Sequence, residues 1–459
     1  MANNKPFRSA LQKTMIAEVP AYANRLFYSL GFLSMTCFMI LLVTGVVMAA
    51  YGPDWWLTSS VGQYFRSVHL WATQAFVLFI ILHLLVVFFT SGFKKPRRLT
   101  WVFGALMFIF VLAETEFGYV LRGDFSSQWR SLQGADFYNG SGIGNWLNSL
   151  NYRQIYGIHL VVVPLIILGL LFFHYLLVRT QGIAKPYRED VHAPTVKANH
   201  TRLFIRGGVL IVLILGLAQI FPSPFIKPDT IQSIASADPK LAAQTLMDEY
   251  NHSSDTATYL DNIDPYTYNT RNIYIQAPYD QLSNLLHTPN LMQKFNAEPA
   301  AKQTAQAKAA QDYFDNNYPA KDSTNNLLIS VVSTLTNAAG AGVYEPLLNS
   351  ASPSGDQTTY AIRFLSDTGV LDNQAQALGI TTDQYGMLRE EKGHLPPGAW
   401  WLAPIGLLDH TVLATDNNGD RDGAIILGLL SLLLIAFPFI PGLNQLPDKL
   451  KVYKLIWRS

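Results

Sequence analysis

Cysteine is almost missing from this chain: among 459 residues there is one, Cys37, inside an apolar run. A single thiol excludes an intrachain disulfide, a CxxCH attachment motif for covalent haem and a cysteine set for an iron–sulfur cluster. Charge is scarce too, at 14% of residues, and it balances to a net +1. With no basic low-complexity tract either, nucleic acid is excluded as a partner on composition. Residues 223–422 contain no Gly-rich phosphate loop, metal-ligand cluster or nucleophile constellation. The N-terminal stretch, with Lys5, Arg8 and Lys13 among polar residues, lacks the short apolar core and small-residue cleavage site of a secretory signal. The first membrane helix is therefore expected to act as the insertion signal.

Apolar sequence is what the chain has in quantity, at 49% hydrophobic residues. Six stretches, near 27–50, 66–90, 100–121, 155–178, 203–221 and 423–441, suit a hydrocarbon core that takes ~20 apolar residues to cross. Lysine and arginine set their orientation. Arg8, Lys13 and Arg25 precede the first span, and Lys94, Lys95, Arg97 and Arg98 separate the second from the third. Arg179, Lys185, Arg188, Lys197, Arg202 and Arg206 separate the fourth from the fifth, and Lys449, Lys451, Lys454 and Arg458 follow the sixth. All fall on one side, which the positive-inside rule makes the cytoplasm. This predicts a multi-pass protein of the cell inner (cytoplasmic) membrane, with both termini inside and residues 223–422 outside. That outer segment is too long to be a structureless loop. Alanines at helical spacing in Ala300–Phe314 predict short helices, and Asn349–Thr359 reads as a polar, turn-rich link. His252 and His287 stand alone in it and read as solvated side chains, so docking or covering is a better role than catalysis.

Four histidines inside the apolar stretches carry the chemistry: His69 with His83, and His159 with His174. Intervals of fourteen and fifteen residues complete about four helical turns each, so both members of a pair share one face, roughly 21 to 22 Å apart. Two such helices side by side and antiparallel make two stacked bis-histidine sites. Polar side chains in lipid are costly and usually functional, so the pairs read as axial ligands for two haems. Gly31 and Gly45, and Gly104 and Gly118, repeat the interval of fourteen in the first and third spans. Small residues let helices pack closely, and the matched interval also opens room at the level of each haem. Pro164 is expected to bend the fourth span around a cofactor. Arg66, three residues before His69, and Arg179, five after His174, are candidate partners of anionic propionates, with Lys94, Arg97 and Arg98 as further inner ones.

The stretch Asn24–Pro186 resembles the N-terminal half of cytochrome b, and within it the cytochrome b6 branch. The strings that carry the resemblance are RLFYSLGF with TCF in the first span, FRSVHLW and ILH in the second, then TSGFKKPRRLTWVFG, FGYVLRG, IYGIHLVVVPL and FHYLLVRTQGIAKP. The resemblance implies a low-potential haem held by His69 and His159 near the outer surface and a high-potential haem held by His83 and His174 near the cytoplasm. Further on the likeness is weaker: LGLAQIFPSPFIKPD resembles the helix opening the second half of the family, and residues 429–457 a later helix and its tail. GAWWLAP, residues 398–404, resembles the motif PEWYFLP, with Ala399 in the place of a glutamate implicated in proton removal from quinol. GYVLRG stands where the family has GYxLPW, and the loop after it is shorter than in b6. PDWW, residues 53–56, reads as an interfacial aromatic belt. Ser29 replaces the cysteine that attaches an extra haem, and Gln154, with Arg153 beside it, replaces an arginine. Two helices of the full family fold are missing.

The expected architecture is an all-α membrane protein: a four-helix di-haem bundle, two further transmembrane helices, six in total, and a mostly α extracytoplasmic domain inserted between helices five and six. Its expected division is a cytoplasmic segment 1–26, the bundle 27–186, a link and fifth helix 187–222, the outer domain 223–422 ending in the degenerate quinol-site motif, and the sixth helix with its tail 423–459. The resemblance implies an electron-transfer subunit of a quinol:cytochrome c oxidoreductase-like respiratory complex, homodimeric, with quinone as substrate and a Rieske iron–sulfur protein and/or c-type cytochrome as partner. Glu114, Glu116 and Asp409 are the candidate quinol or proton sites, with Asp124 and His410 in reserve, because intramembrane carboxylates are expensive without purpose. Two alternatives stand beside this: a non-bifurcating conduit between a quinone pool and a periplasmic cytochrome, and a structural haem subunit without an active outer quinol site.

Overall fold

A computed structural model describes residues 18–184, 194–259, 268–319, 325–351, 359–381, 395 and 398–456. Lys5, Arg8, Lys13, Lys185, Pro186, Arg188, Arg458 and most of the 349–359 link lie outside them; the ends of that link continue the flanking helices Tyr344–Ala351 and Thr359–Asp367. Among the described residues, six helices are long and apolar enough to cross a membrane: α1 (Leu30–Tyr51), α2 (Ser60–Phe89), α3 (Arg98–Val120), α4 (Tyr152–Gln181), α5 (His200–Ile220) and α6 (Gly419–Ala436). The protein is an all-α multi-pass membrane protein. The strands among the described residues are two short ones, β1 (Glu18–Pro20) and β2 (Thr195–Lys197), paired antiparallel with Val19 opposite Val196.

Local chemistry sets the helix ends. Ser59, Asn151 and Asn199 cap α2, α4 and α5 by accepting the backbone N–H of Gly62, Gln154 and Arg202. Helix α2 begins six residues before the apolar run because its first turns fold back on the short helix Pro53–Thr58. A Cβ on Gly62 would lie 2.2 Å from the Trp55 carbonyl oxygen, so that approach requires glycine. In α4, residues Ile158–Val162 form a π-helical turn, in which Val163 N–H reaches the Ile158 carbonyl. Pro164 has no N–H to offer one turn back, and a π-turn is a recognised way for a helix to absorb such a mismatch.

Helix α1 packs along α2, α3 along α4, α5 against α1 and α2, and α6 against α3. Their shared core includes Cys37, Phe38, Ala72, Phe76, Val77, Val111, Ile155 and Ile214. At one end of the bundle Arg97 donates to the carbonyls of Gln181, Gly182 and Ile183, satisfying the end of α4. Lys94 pairs with Asp448 at the same end, so the α2–α3 turn, the end of α4 and the tail after α6 lie together.

At the opposite end the helix Phe125–Gly140, between α3 and α4, forms a platform for the residues after α5. Phe125 and Trp129 are part of an apolar core whose other members run from Ile231 to Ile380, spread over many short helices. Gln128 and Asp229 exchange two hydrogen bonds, Trp129 Nε1 donates to the Ile380 carbonyl, and the Tyr259 hydroxyl donates to Asp136 and accepts from Asn139. This body has a full core although its sequence has little sustained hydrophobicity, because each short helix contributes only a few apolar residues. His252, with a left-handed backbone, caps the helix Pro239–Asn251, and His287 sits in a turn; both are exposed.

Buried in this body after α5, Glu249 and Asp367 face each other. Burial and the neighbouring Asp367 push the Glu249 carboxyl well above the usual carboxylate range, and burial raises Asp367 as well. Among the described residues, each leaves a buried oxygen with no hydrogen-bond partner unless a proton sits between them. The folded state therefore keeps a proton that the unfolded chain releases above 4.5. Stability from this pair is complete below that value and is lost as the pH rises toward Glu249's folded one. Glu249→Gln, which preserves a donor and an acceptor, is expected to flatten the decline in chemical denaturation of this body across neutral and alkaline pH. An unchanged slope would rule out the shared proton.

Candidate cofactor sites

All four histidines face the interior of the bundle, and each meets one of the four interval glycines. A Cβ added at Gly45 would lie 3.5 Å from His69 Cε1, and one at Gly118 would lie 3.0 Å from His159 Cε1. One level away, a Cβ at Gly31 would be 3.4 Å from His83 Cε1, and one at Gly104 3.4 Å from His174 Cε1. Helices α1 and α3 thus leave out a side chain wherever α2 and α4 place an imidazole. A rise of about 1.5 Å per residue puts the two levels roughly 21 Å apart.

At the level of His69 and His159 the ring centres are 6.3 Å apart with the planes at 70°. Two imidazoles bound to opposite sides of one metal ion, each at about 2 Å, hold their ring centres about 6 Å apart, so this pair is spaced as axial ligands are. His69 Nδ1 lies 2.8 Å from the Thr44 hydroxyl, and His174 Nδ1 lies 3.0 Å from the Thr100 carbonyl oxygen. Such contacts fix the ring and leave Nε2 for a metal. His159 Nδ1 is instead 3.1 Å from Glu114 Oε1. Around the two histidine levels lie cavities of about 290 and 550 Å³, on the scale of cofactor pockets.

Arg66 lines the cavity at the His69–His159 level, together with Arg122 and Trp56. Both guanidiniums hold the wholly buried Asp124, at 2.6 and 2.8 Å, and both donate to the Pro224 carbonyl. Asp124 also caps the helix Phe125–Gly140, so it is a structural anion rather than a free base. Trp56 turns inward, beyond the interfacial belt expected for PDWW. At the His83–His174 level the lining cations are Arg97 and Arg206. Arg179 is exposed and is not among the residues lining that cavity, nor are Lys94 and Arg98. Arg206 reads in the sequence only as a topology charge; its hydrogen bond to Ser29 brings it to the cavity wall.

The segment Gly398–Leu402 packs with the bundle rather than with the core built around Ile231–Ile380. Ala399 is fully buried and Trp401 nearly so. Gln74 on α2 accepts from Trp400 Nε1 at 2.8 Å and donates to the Gly398 carbonyl at 3.3 Å. The Trp401 ring lies 6.3 Å from Tyr119 and tilted to it, and the Arg130 guanidinium sits 4.2 Å from the Tyr119 ring centre. Glu116 Oε2 lies 3.7 Å from Arg130 Nη1. Glu114 and Glu116 therefore part company: one meets a histidine, the other an arginine beside Tyr119. Asp409 ends the helix Ala403–Asp409, half-buried, and burial pushes its carboxyl up while His410 opposes the shift. No hydrogen bond or ion pair among the described residues joins it to Glu114 or Glu116.

Residues 74–228 match the family model described as cytochrome b(N-terminal)/b6/petB. Cytochrome b6 of Heliobacterium modesticaldum is 33% identical over 195 residues, 37% of this chain and 92% of that protein. Cytochrome b6 of Prochlorococcus marinus is 32% identical over 222 residues, 40% of this chain and 100% of that protein. Among solved structures, a chain of a "Hyperthermophilic respiratory Complex III" is similar at a TM-score of 0.38 and 15% identity, over 79% of this chain and 97% of that one.

The tightest of the four glycine–histidine contacts yields a test. Gly118→Val adds branched carbons where Cβ alone reaches 3.0 Å from the His159 ring. The variant is expected to lose the cofactor at the His69–His159 level and keep the other, measured as haem bound per purified chain. Full retention of both would contradict this use of the glycine.

Proposed function

Because this chain belongs to the cytochrome b/b6 family, we propose that it is a di-haem b-type cytochrome subunit of a bc-like respiratory complex, carrying electrons across the membrane between quinol or quinone and redox partners. Family membership brings b-type haem binding with it. The observation that carries the finer reading is the fourfold pairing of glycine with histidine at two levels of one bundle. When bound, each haem supplies a one-electron Fe(III)/Fe(II) couple. The residues do the rest. His69 and His159 hold the outer, low-potential haem, and His83 and His174 the inner, high-potential one. Thr44 and the Thr100 carbonyl orient two of the rings. Arg66 and Arg122 at the outer cavity, and Arg97 and Arg206 at the inner, offer positive charge to the propionates.

Quinol oxidation needs a proton acceptor within hydrogen-bond reach of the quinol hydroxyl. Of Glu114, Glu116 and Asp409, Glu116 suits this best. Its Oε2 and the indole N–H of Trp401 are buried without hydrogen-bond partners among the described residues, and both lie near Tyr119. The lysines and arginines make the Arg97 end cytoplasmic, in the cell inner membrane, and put residues 223–422 outside as a separate domain. A Rieske iron–sulfur protein and/or a c-type cytochrome is the partner there, in a homodimeric assembly.

A non-bifurcating conduit to a periplasmic cytochrome is the second reading, favoured by one observation. Ala399, in the place of the family's glutamate, is fully buried against the bundle and offers no acceptor.

Optical redox titration of the purified protein tests the proposal. Two b-type transitions reducible by quinol are expected, with His69→Ala removing one and His83→Ala the other. A protein whose spectrum does not respond to quinol would overturn it.

A further inference from the structure

Three of the four ring contacts made by the ligand histidines have neutral partners or none among the described residues; the fourth is with a carboxylate. His69 meets a hydroxyl and His174 a backbone carbonyl, whereas His159 Nδ1 has the Glu114 carboxylate 3.1 Å away. Glu114 and Gly118 are one helical turn apart on α3, so one face of that helix supplies both the gap that admits the His159 ring and the anion that meets it. The contact is sheltered, with the two side chains 19% and 17% exposed. The carboxylate lies off the line of the ring N–H, close enough for its own charge to act on the imidazole. Glu114 Oε2 is buried and has no hydrogen-bond partner among the described residues. His159 is therefore the group that this carboxylate addresses. The π-turn Ile158–Val162 contains His159 and re-aims its ring toward α3.

We propose that Glu114 is a positioning residue that acts through His159 to lower the reduction potential of the outer site alone. The inference rests on the assignment of His69 and His159 to one haem. A carboxylate beside the distal nitrogen of a ligating imidazole strengthens that ligand as a donor, and its negative charge favours the more positive oxidation state of the metal. Neither effect reaches the inner level, about 20 Å away by helix rise, with comparable strength. The chain thereby deepens the potential step between its two sites with a residue of its own third span.

The test is redox potentiometry on the purified full chain, comparing wild type with Glu114→Gln and Glu114→Asp. Glu114→Gln keeps the shape and removes the charge. It is expected to shift one transition upward by tenfold or more in the ferric/ferrous equilibrium, about 59 mV for a one-electron couple, and leave the other in place. Glu114→Asp is expected to stay near wild type. Loss of the outer haem in Glu114→Gln with retention in Glu114→Asp also supports the carboxylate's role in holding His159. Unchanged potentials in both variants, equal shifts of both transitions, or loss of haem from both variants would overturn the proposal. Failure of the underlying assignment looks different: wild type itself would show no bis-histidine transition assignable to His69 and His159.

Discussion

An imidazole ring cannot stand between two packed helices unless the facing helix gives up a side chain. In this molecule that constraint recurs four times, and the bundle is organised around it. Helices α1 and α3 each omit a Cβ twice at an interval of fourteen, and α2 and α4 each fill the two gaps with histidine. A close helix pair in a membrane gains from packing without help from the hydrophobic effect. The same glycines thus let the helices approach and leave space for what the histidines bind. Shifting any one of the four by a single residue would rotate it about 100° off the shared face.

The end of the bundle that carries Asp124 adds a second constraint. Asp124 is wholly buried between two guanidiniums, and removing one member of such a set typically costs about 3–5 kcal/mol because it strands the others. The triad joins α2, the end of α3 and, through the Pro224 carbonyl, the chain leaving α5. The body after α5 rests on the adjacent Phe125–Gly140 helix. Its return segment, Gly398–Leu402, is then fastened to α2 through Gln74. Apolar burial of Ala399 and Trp401 at this point couples the inserted body to the wall of the cavity at the His69–His159 level.

Much of this was legible in the sequence, for physical reasons. Apolar runs of membrane length mark their own helices, and the intervals of fourteen and fifteen project histidines and glycines onto fixed faces. The pairings across the bundle were less legible. Arg66 stands out as a charge beside a ligand, but its hold on Asp124 links positions 58 residues apart that no local period connects. Arg206 reads as a topology charge until its bond to Ser29 brings it to the inner cavity, while Arg179, beside a ligand in sequence, turns outward. Glu114 and Glu116, two residues apart, look equivalent; helical geometry sends them to different partners. Nor does any local signal announce that β1 pairs with β2, or that the polar outer segment assembles a full core from short amphipathic helices.

The central claim is that one chain holds two haems, one at each histidine level. Quantifying extractable protohaem per purified chain tests it most directly, with His174→Ala as the partner measurement. The account predicts two non-covalent b-type haems in the unaltered protein and one in the variant. A single haem or none in the unaltered protein, or two retained without His174, would contradict it.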